Sequence, residues 1–328
     1  MTTPLCVSAS LSASADLPLA VGPAISASFG SEEVGVFIAT LIAKERLSSG
    51  DISLAEDRLA AADGYPMGRS WVEEDKACDL LFSSAPQLAR EALEGLIPGV
   101  DVVVQGEAGR RRKLLVADMD STMITVECID ELADYAGRRD EVAAITERAM
   151  QGELAFPEAL RERVALLEGL DESVIDRCYE ERVRITPGAE ALVRTMRARG
   201  AYCLLVSGGF SSFADRVAES IGFNRAVSNE LAIEAGRLSG LVGDPILDAD
   251  GKRQALVDAA ASNEVELADS LALGDGANDI PMLGAAGLGV AYHAKPKVAA
   301  AAGARIVHCD LHALLYAQGY ARAEWEAV

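Results

Sequence analysis

The chain has 328 residues, half of them hydrophobic and a quarter charged, with a formal net charge of -21 at pH 7. That is more material than one ordinary domain needs, and its apolar content rules out a disordered chain. The excess of 51 acidic over 30 basic residues argues against nonspecific binding to nucleic acid and against an anionic membrane surface, because both rest on Lys and Arg.

Residues 1–30 are rich in Ser and Ala, with one short strand predicted at Leu17–Val21. They lack both the basic start and the continuous apolar centre of a secretory leader. No stretch farther on approaches the roughly 20 apolar residues of a membrane-spanning helix. Cys6, Cys78, Cys128, Cys178, Cys203 and Cys309 are scattered without a CxxC pair, a pattern of reduced thiols in a cytoplasmic protein.

Ser31 can cap a helix with Glu32 and Glu33 in its first turn, and Val34, Phe37, Ile38, Leu41 and Ile42 recur at helical spacing. Ala77–Phe82 then reads as a strand, Ala85–Leu96 as a helix ended by Pro98 and Gly99, and Val100–Gln105 as a strand. Together they make a β-α-β unit. Gly106–Lys113, polar and carrying three consecutive arginines, reads as a linker, with a boundary near Gly106. Residues 1–106 are therefore expected to form a small α+β module whose role the sequence does not give: a regulatory ligand-binding domain, a dimerisation surface or a structural appendage, with structural or oligomeric use the default, which leaves a homo-oligomer open.

Leu114–Ala117 is an apolar run without polar alternation, as in a parallel strand buried on both faces. It ends in Asp118-Met119-Asp120-Ser121-Thr122. Side chains two apart point the same way from an extended strand, and the carboxyl ends of such strands are where open α/β sheets bind ligands. Two carboxylates held together need a cation, and hard oxygen ligands favour Mg2+.

Residues 127–185 turn helical, with four apolar stripes: Ile129 to Ala136, Val142 to Ala149, Phe156 to Leu167 and Val174 to Cys178. An inserted helical bundle here is placed to act as a lid. Glu127 and Arg163 are the two charges of interest in it. After a turn at Thr186-Pro187-Gly188 and a helix, a strand over 201–206 runs into Ser207-Gly208-Gly209 before another helix. That junction lets backbone amides and a hydroxyl meet an anion.

Residues 225–246 read as short strands around a turn at Ala235-Gly236. Lys252 opens a helix, and the strand Ser270–Leu273 runs into Gly274-Asp275-Gly276-Ala277-Asn278-Asp279. Here Asp275 is a third hard oxygen ligand, with Asn278 and Asp279 in support. The strand Leu288–Ala291, a helix after Lys295-Pro296 and a strand over 305–307 complete a doubly wound sheet. Asp118, Asp120, Ser207, Lys252, Asp275 and Asn278 thus fall on one rim. None of the three histidines, His293, His308 and His312, lies in these junctions, which disfavours His-based hydrolysis and a zinc site. The glycine-rich turns match neither the Walker pattern nor the dinucleotide fingerprint.

The chain resembles the haloacid dehalogenase superfamily of phosphotransferases, on Asp118 to Thr122, Ser207, Lys252 and Gly274 to Asp279. It resembles most closely the branch acting on O-phosphoserine, on Glu127-Cys128-Ile129-Asp130-Glu131, Glu147 to Gly152, Phe156 to Val164 and Ser207-Gly208-Gly209-Phe210. The resemblance covers roughly residues 113–310 and leaves residues 1–105 outside. It implies an α/β fold, a doubly wound Rossmann-like parallel sheet over 107–126 and 186–328, with a helical cap over 127–185.

It also implies Mg2+-dependent hydrolysis of O-phosphoserine, a small-molecule substrate, with Asp118 as nucleophile and Asp120 as acid and base. Ser207, Gly208, Gly209, Lys252 and Asn278 would hold the phosphate, and Asp118, Asp120 through its backbone carbonyl and Asp275 the metal. Glu127 and Arg163 would bind the amino-acid end under Met150 and Phe156. Two other readings stay open: transfer of the phosphoryl group to an alcohol such as homoserine, and a non-catalytic phospho-ligand sensor.

Overall fold

The computed structural model describes residues 35–150 and 153–327; the expected strand at Leu17–Val21 and the Ser31 cap lie outside them. The described residues belong to one unit.

It begins with β1 (Phe37–Ala43), α1 (Ser49–Ala61), β2 (Pro66–Glu73), β3 (Ala77–Phe82), α2 (Pro86–Leu93) and β4 (Val100–Gly106). The sheet order is β2-β3-β1-β4, and β1 runs antiparallel to both β3 and β4. The helix expected through Val34 to Ile42 is therefore corrected: Phe37–Ala43 is the central strand. Its residues are buried on both faces, so no alternation survives in the sequence, and a short apolar run does not tell strand from helix by periodicity. Ala39, Leu41 and Ala43 face one apolar cluster with Leu47, Ile52 and Leu59, while Ile42 faces the larger core. The sequence reading gave no element between Ile42 and Ala77, where α1 and β2 lie. Its start carries a signal: the Ser48 hydroxyl accepts from the Asp51 N–H at 3.2 Å, and the Asp51 carboxylate accepts from the Ser48 N–H at 2.9 Å.

β5 (Leu114–Ala117) opens the second sheet. The cap follows as α3 (Cys128–Tyr135), α4 (Arg139–Met150), α5 (Phe156–Ala165) and α6 (Ser173–Arg182), where the four apolar stripes lie. The chain returns through α7 (Ala189–Ala198), β6 (Tyr202–Phe210), α8 (Ser211–Ile221) and β7 (Arg225–Asn229). A hairpin of β8 (Leu231–Glu234) and β9 (Arg237–Val242) precedes α9 (Ala249–Ser262). The remainder is β10 (Ser270–Gly274), α10 (Ile280–Ala285), β11 (Leu288–Tyr292), α11 (Pro296–Ala301), β12 (Ala304–Ile306) and α12 (Ala313–Ala317).

The six strands lie in the order β12-β11-β10-β5-β6-β7, and every pairing is parallel. Leu115 and Ala117 point into one apolar core and Leu114 and Val116 into another, so helices cover both faces. The chain winds outward through β6 and β7 on one side of β5 and through β10, β11 and β12 on the other. The crevice at that reversal is the ligand position of an open α/β sheet.

Two connections bear on the site. The cap is entered and left side by side, through an antiparallel bridge between Ile124 and Ile185. The hairpin docks on the cap, with the Gly169 N–H donating to Leu238 O at 2.8 Å and the Leu238 N–H to Leu170 O at 2.9 Å.

The segment read as a linker is pinned rather than loose. Arg110 pairs with Asp79 at 2.6 Å, and Arg112 donates to Gln105 at 2.7 Å and to Ala268 O at 2.6 Å. Asp101 on β4 accepts the backbone N–H groups of Val307, His308 and Cys309 at 2.8 to 3.2 Å. Ile42, Ala77 and Val103 share the apolar core of the second sheet. Among the described residues, no helix is long and apolar enough to cross a membrane.

Candidate active site

Asp118 directly follows β5, and its backbone N–H still donates to Leu273 O at 2.9 Å. The strand geometry thereby fixes its side chain at the rim. Lys252, in the first turn of α9 and 1% exposed, donates to Asp118 Oδ1 and, at 2.7 Å, to Asp279 Oδ1. The second Asp279 oxygen accepts the Gly276 N–H at 2.9 Å. Both oxygens of Asp279 are thus committed to the protein. Asp118 keeps its second oxygen free of donors among the described residues.

Past Asp118 the chain turns at Ser121, whose φ of 55° is left-handed. The turn sends Thr122 to Asp275, with Oγ1 donating to Oδ1 at 3.0 Å, and sends the Ser121 hydroxyl to Glu127 at 2.6 Å. Asp120 points elsewhere: Oδ1 accepts the Cys128 N–H at 3.0 Å, and Oδ2 accepts from the Ser207 hydroxyl at 3.3 Å. Ser207 in turn accepts the Gly209 N–H at 2.8 Å. A β carbon at position 209 would lie 2.8 Å from Asp120 Oδ2, so any residue other than glycine there displaces the Asp120 carboxylate.

Asp118, Asp275 and Asp279 each offer an oxygen, all within 4.8 Å of one another. Three carboxylates against one ammonium leave two negative charges, the deficit a divalent cation removes. With Asp279 committed to Lys252 and Gly276, the oxygens of Asp118 and Asp275 left uncommitted among the described residues are the hard donors that fit a metal ion.

Burial sets the electrostatics. Burial, with the Asp279 carboxylate beside it, pushes the Asp118 carboxyl well above its usual range against the pull of Lys252. Burial and the Glu127 charge push Asp120 up to about 7, and burial and Asp279 push Asp275 up to about 6. Burial alone would lower Lys252, but Asp118 and Asp279 override it and hold the ammonium above its usual range. The group is a fixed cation in a crowd of carboxylates.

The cap supplies the outer wall. Burial lowers Arg163, while the carboxylates of Asp130, Glu127 and Asp120 draw it back up. Its Nε donates to Ala159 O at 3.3 Å, and among the described residues it makes no ion pair. The Phe156 ring lies over Gly208, with Cζ 3.0 Å from where a β carbon would stand. Met150 is not packed among these groups: it is 60% exposed, with its Sδ 3.6 Å from Lys295 Nζ. Asn278 is half-buried and folds back over Gly276.

The structure thus brings together Asp118, Asp120, Ser207, Gly208, Gly209, Lys252, Asp275, Asp279, Glu127, Arg163 and Phe156, while Met150 stays apart. The sequence analysis assigns no role to Thr122, although it stands in the quoted motif, nor to Asn229, the last residue of β7, whose amide reaches the Ser207 loop without a local signal in the sequence.

This arrangement matches known proteins. A family model described as haloacid dehalogenase-like hydrolase matches residues 115–284. The chain is 47% identical over 238 residues to a phosphoserine phosphatase of Streptomyces coelicolor, covering 72% of this chain and 58% of that protein. The match therefore spans little more than half the length of that relative. A phosphoserine phosphatase of Albidiferax ferrireducens is 46% identical over 229 residues, 67% of this chain and 96% of the relative. Among solved structures, an unliganded probable phosphoserine phosphatase of Vibrio cholerae superposes with a TM-score of 0.68 at 32% identity, covering 88% of each chain. With the family model spanning more than half of the residues and one relative covered almost end to end, the chain belongs to the haloacid dehalogenase-like hydrolase family.

Proposed function

We propose that this hydrolase converts O-phosphoserine to serine and phosphate, the reaction that closes serine biosynthesis, and that its metal ion is Mg2+. The observation that carries the reading is the Lys252 bridge, which holds one oxygen of Asp118 and leaves the other uncommitted among the described residues, at the end of the strand next to the one that carries Ser207–Gly209. A carboxylate fixed in this way is a nucleophile that needs no rearrangement. In this reading catalysis belongs to residues 107–328, with the cap over 127–185.

Asp118 attacks phosphorus and becomes an aspartyl-phosphate as the seryl oxygen leaves. Asp120 gives that oxygen its proton and then takes one from the water that cleaves the acyl-phosphate. Lys252 and the backbone amides of Ser207 to Gly209 stabilise charge on the phosphoryl oxygens. Asp118, Asp275 and the Asp120 carbonyl would hold Mg2+, with Asp279 fixing Lys252. When bound, the ion supplies further neutralisation of phosphoryl charge.

Specificity falls to the cap. Arg163, without an ion-pair partner among the described residues, binds the substrate carboxylate as a planar fork. Glu127 pairs with the ammonium. Phosphoethanolamine keeps the amine and phosphate but strands the guanidinium, a cost of about 1 to 3 kcal/mol. Steady-state kinetics with Mg2+ should therefore favour O-phosphoserine over phosphoethanolamine by about ten- to a hundred-fold in kcat/KM. Arg163→Lys should narrow that gap. Equal use of the two compounds by the unaltered protein would contradict the amino-acid reading.

A further inference from the structure

Asn229 ends β7 and is 3% exposed. Its side-chain amide is used at both ends: Nδ2 donates to Gly208 O at 2.9 Å, and Oδ1 accepts the Leu247 N–H at 2.7 Å. Gly208 belongs to the loop that carries Ser207. Leu247 immediately precedes Asp248, whose side chain caps α9 through the Gly251 N–H at 2.9 Å and whose carbonyl accepts the Lys252 N–H at 2.9 Å. One planar amide therefore ties the Ser207 loop to the first turn of the helix that bears Lys252.

The topology gives such a tie a task. After Asn229 the chain leaves the sheet for the β8–β9 hairpin, which docks on the cap. It returns at Gly243, whose N–H donates to Glu230 O at 2.9 Å. Apolar packing of Leu256, Ala259 and Ala260, with Leu247 against the same cluster, holds α9 on the sheet; the Asn229 amide adds the directional fastening at the base of this excursion, where α9 begins. From there Lys252 must reach Asp118 in the sheet's rim. Asn suits this task, since its amide places a donor and an acceptor at opposite ends of one rigid plane.

We infer that Asn229 is a positioning residue of the phosphoryl site, setting the spacing between the Ser207–Gly209 loop and Lys252. It touches neither the reacting atoms nor the amino-acid end. The inference rests on the phosphatase reading above and predicts that the phosphoryl side alone suffers when the tie is cut. A displacement on the order of 1 Å in such a site costs about a hundred-fold in rate.

The test uses the full chain with Asn229→Asp, which keeps the shape and the acceptor for Leu247 but removes the donor to Gly208, and Asn229→Ser, which removes both. O-Phosphoserine, phosphoethanolamine and p-nitrophenyl phosphate are assayed with Mg2+, melting is followed, and binding of inorganic phosphate is measured by calorimetry. The expected result is a fall of about ten- to a hundred-fold in kcat for every substrate. The ratio between O-phosphoserine and phosphoethanolamine stays as in the unaltered protein, and phosphate binding weakens. Values of kcat and phosphate affinity per folded molecule that stay within about two-fold of the unaltered protein overturn the inference, whatever happens to melting. Should the unaltered protein release no phosphate from any of the three compounds, the phosphatase reading fails; phosphate affinity then still decides whether Asn229 sets the anion site.

Discussion

The molecule buries charge in two places and treats it differently. At the seam between the N-terminal sheet and the second sheet, the Asp101 carboxylate accepts from three successive backbone N–H groups. Asp79 there accepts from Thr40 and Arg110. Gln105 is engaged at both ends, by Arg112 and by Ala317 O; in this group Arg112 Nε lacks a partner among the described residues. At the catalytic rim, Asp118 and Asp275 each have one donor and keep one oxygen uncommitted among the described residues. Burial drives both carboxyls upward. A buried carboxylate saturated by fixed donors holds structure together, whereas one left short of donors is held ready for a cation or a substrate.

The comparison breaks most visibly at Asp118. Asp118→Asn should cost about 10⁴-fold or more in kcat, because the charge of the proposed nucleophile goes at nearly constant shape. The melting temperature should hold or rise, since one of three crowded carboxylates is gone. Kinetics and calorimetry on the same preparation check both, and near-normal turnover would break the account.

The seam should respond in the opposite sense. Asp101→Ala strands several buried backbone donors and should lower stability by about 3 kcal/mol, read from denaturant unfolding, with kcat per folded molecule unchanged. A loss of kcat would mean that the seam helps to order the site. The smallest effect is expected at the seam's outer edge, where Arg305 pairs with Glu94 at 3.0 Å and is 40% exposed. Arg305→Ala should cost no more than about 1 kcal/mol by the same unfolding measurement.

Most of the rim is legible in the sequence because each strand of a parallel sheet ends in its own short polar cluster. Asp118 and Asp120, Ser207 with its glycines, and Asp275 to Asp279 stand directly after apolar runs, and Lys252 stands at a helix start. The cap helices show equally clearly, since α3, α5 and α6 each bury one stripe and expose the rest, while α4 buries Val142 and half-covers Ile145 and Ala149. What the sequence hides is made by pairing. The run through Phe37 and Ile42 is a strand because β3 and β4 flank it, and nothing within the run says so. The arginines of Gly106–Lys113 look like linker residues until Asp79, Gln105 and Ala268 are placed around them. Asn229 acts through Gly208 and Leu247, 21 and 18 residues away. Met150 falls among expected site residues by its place in the chain, yet its side chain stays exposed, with its sulfur near the Lys295 ammonium.

The central claim is that Asp118 is the carboxylate kept free to react. Its most direct test is to mix the unaltered protein with O-phosphoserine and Mg2+, quench in acid during turnover, and map the phosphorylated peptide by mass spectrometry. The account predicts one acid-stable-enough phosphoryl group on the peptide that holds Asp118, absent in Asp118→Asn. Phosphate release that proceeds with no phosphoryl group on that peptide, or with one on Ser207 instead, would contradict it.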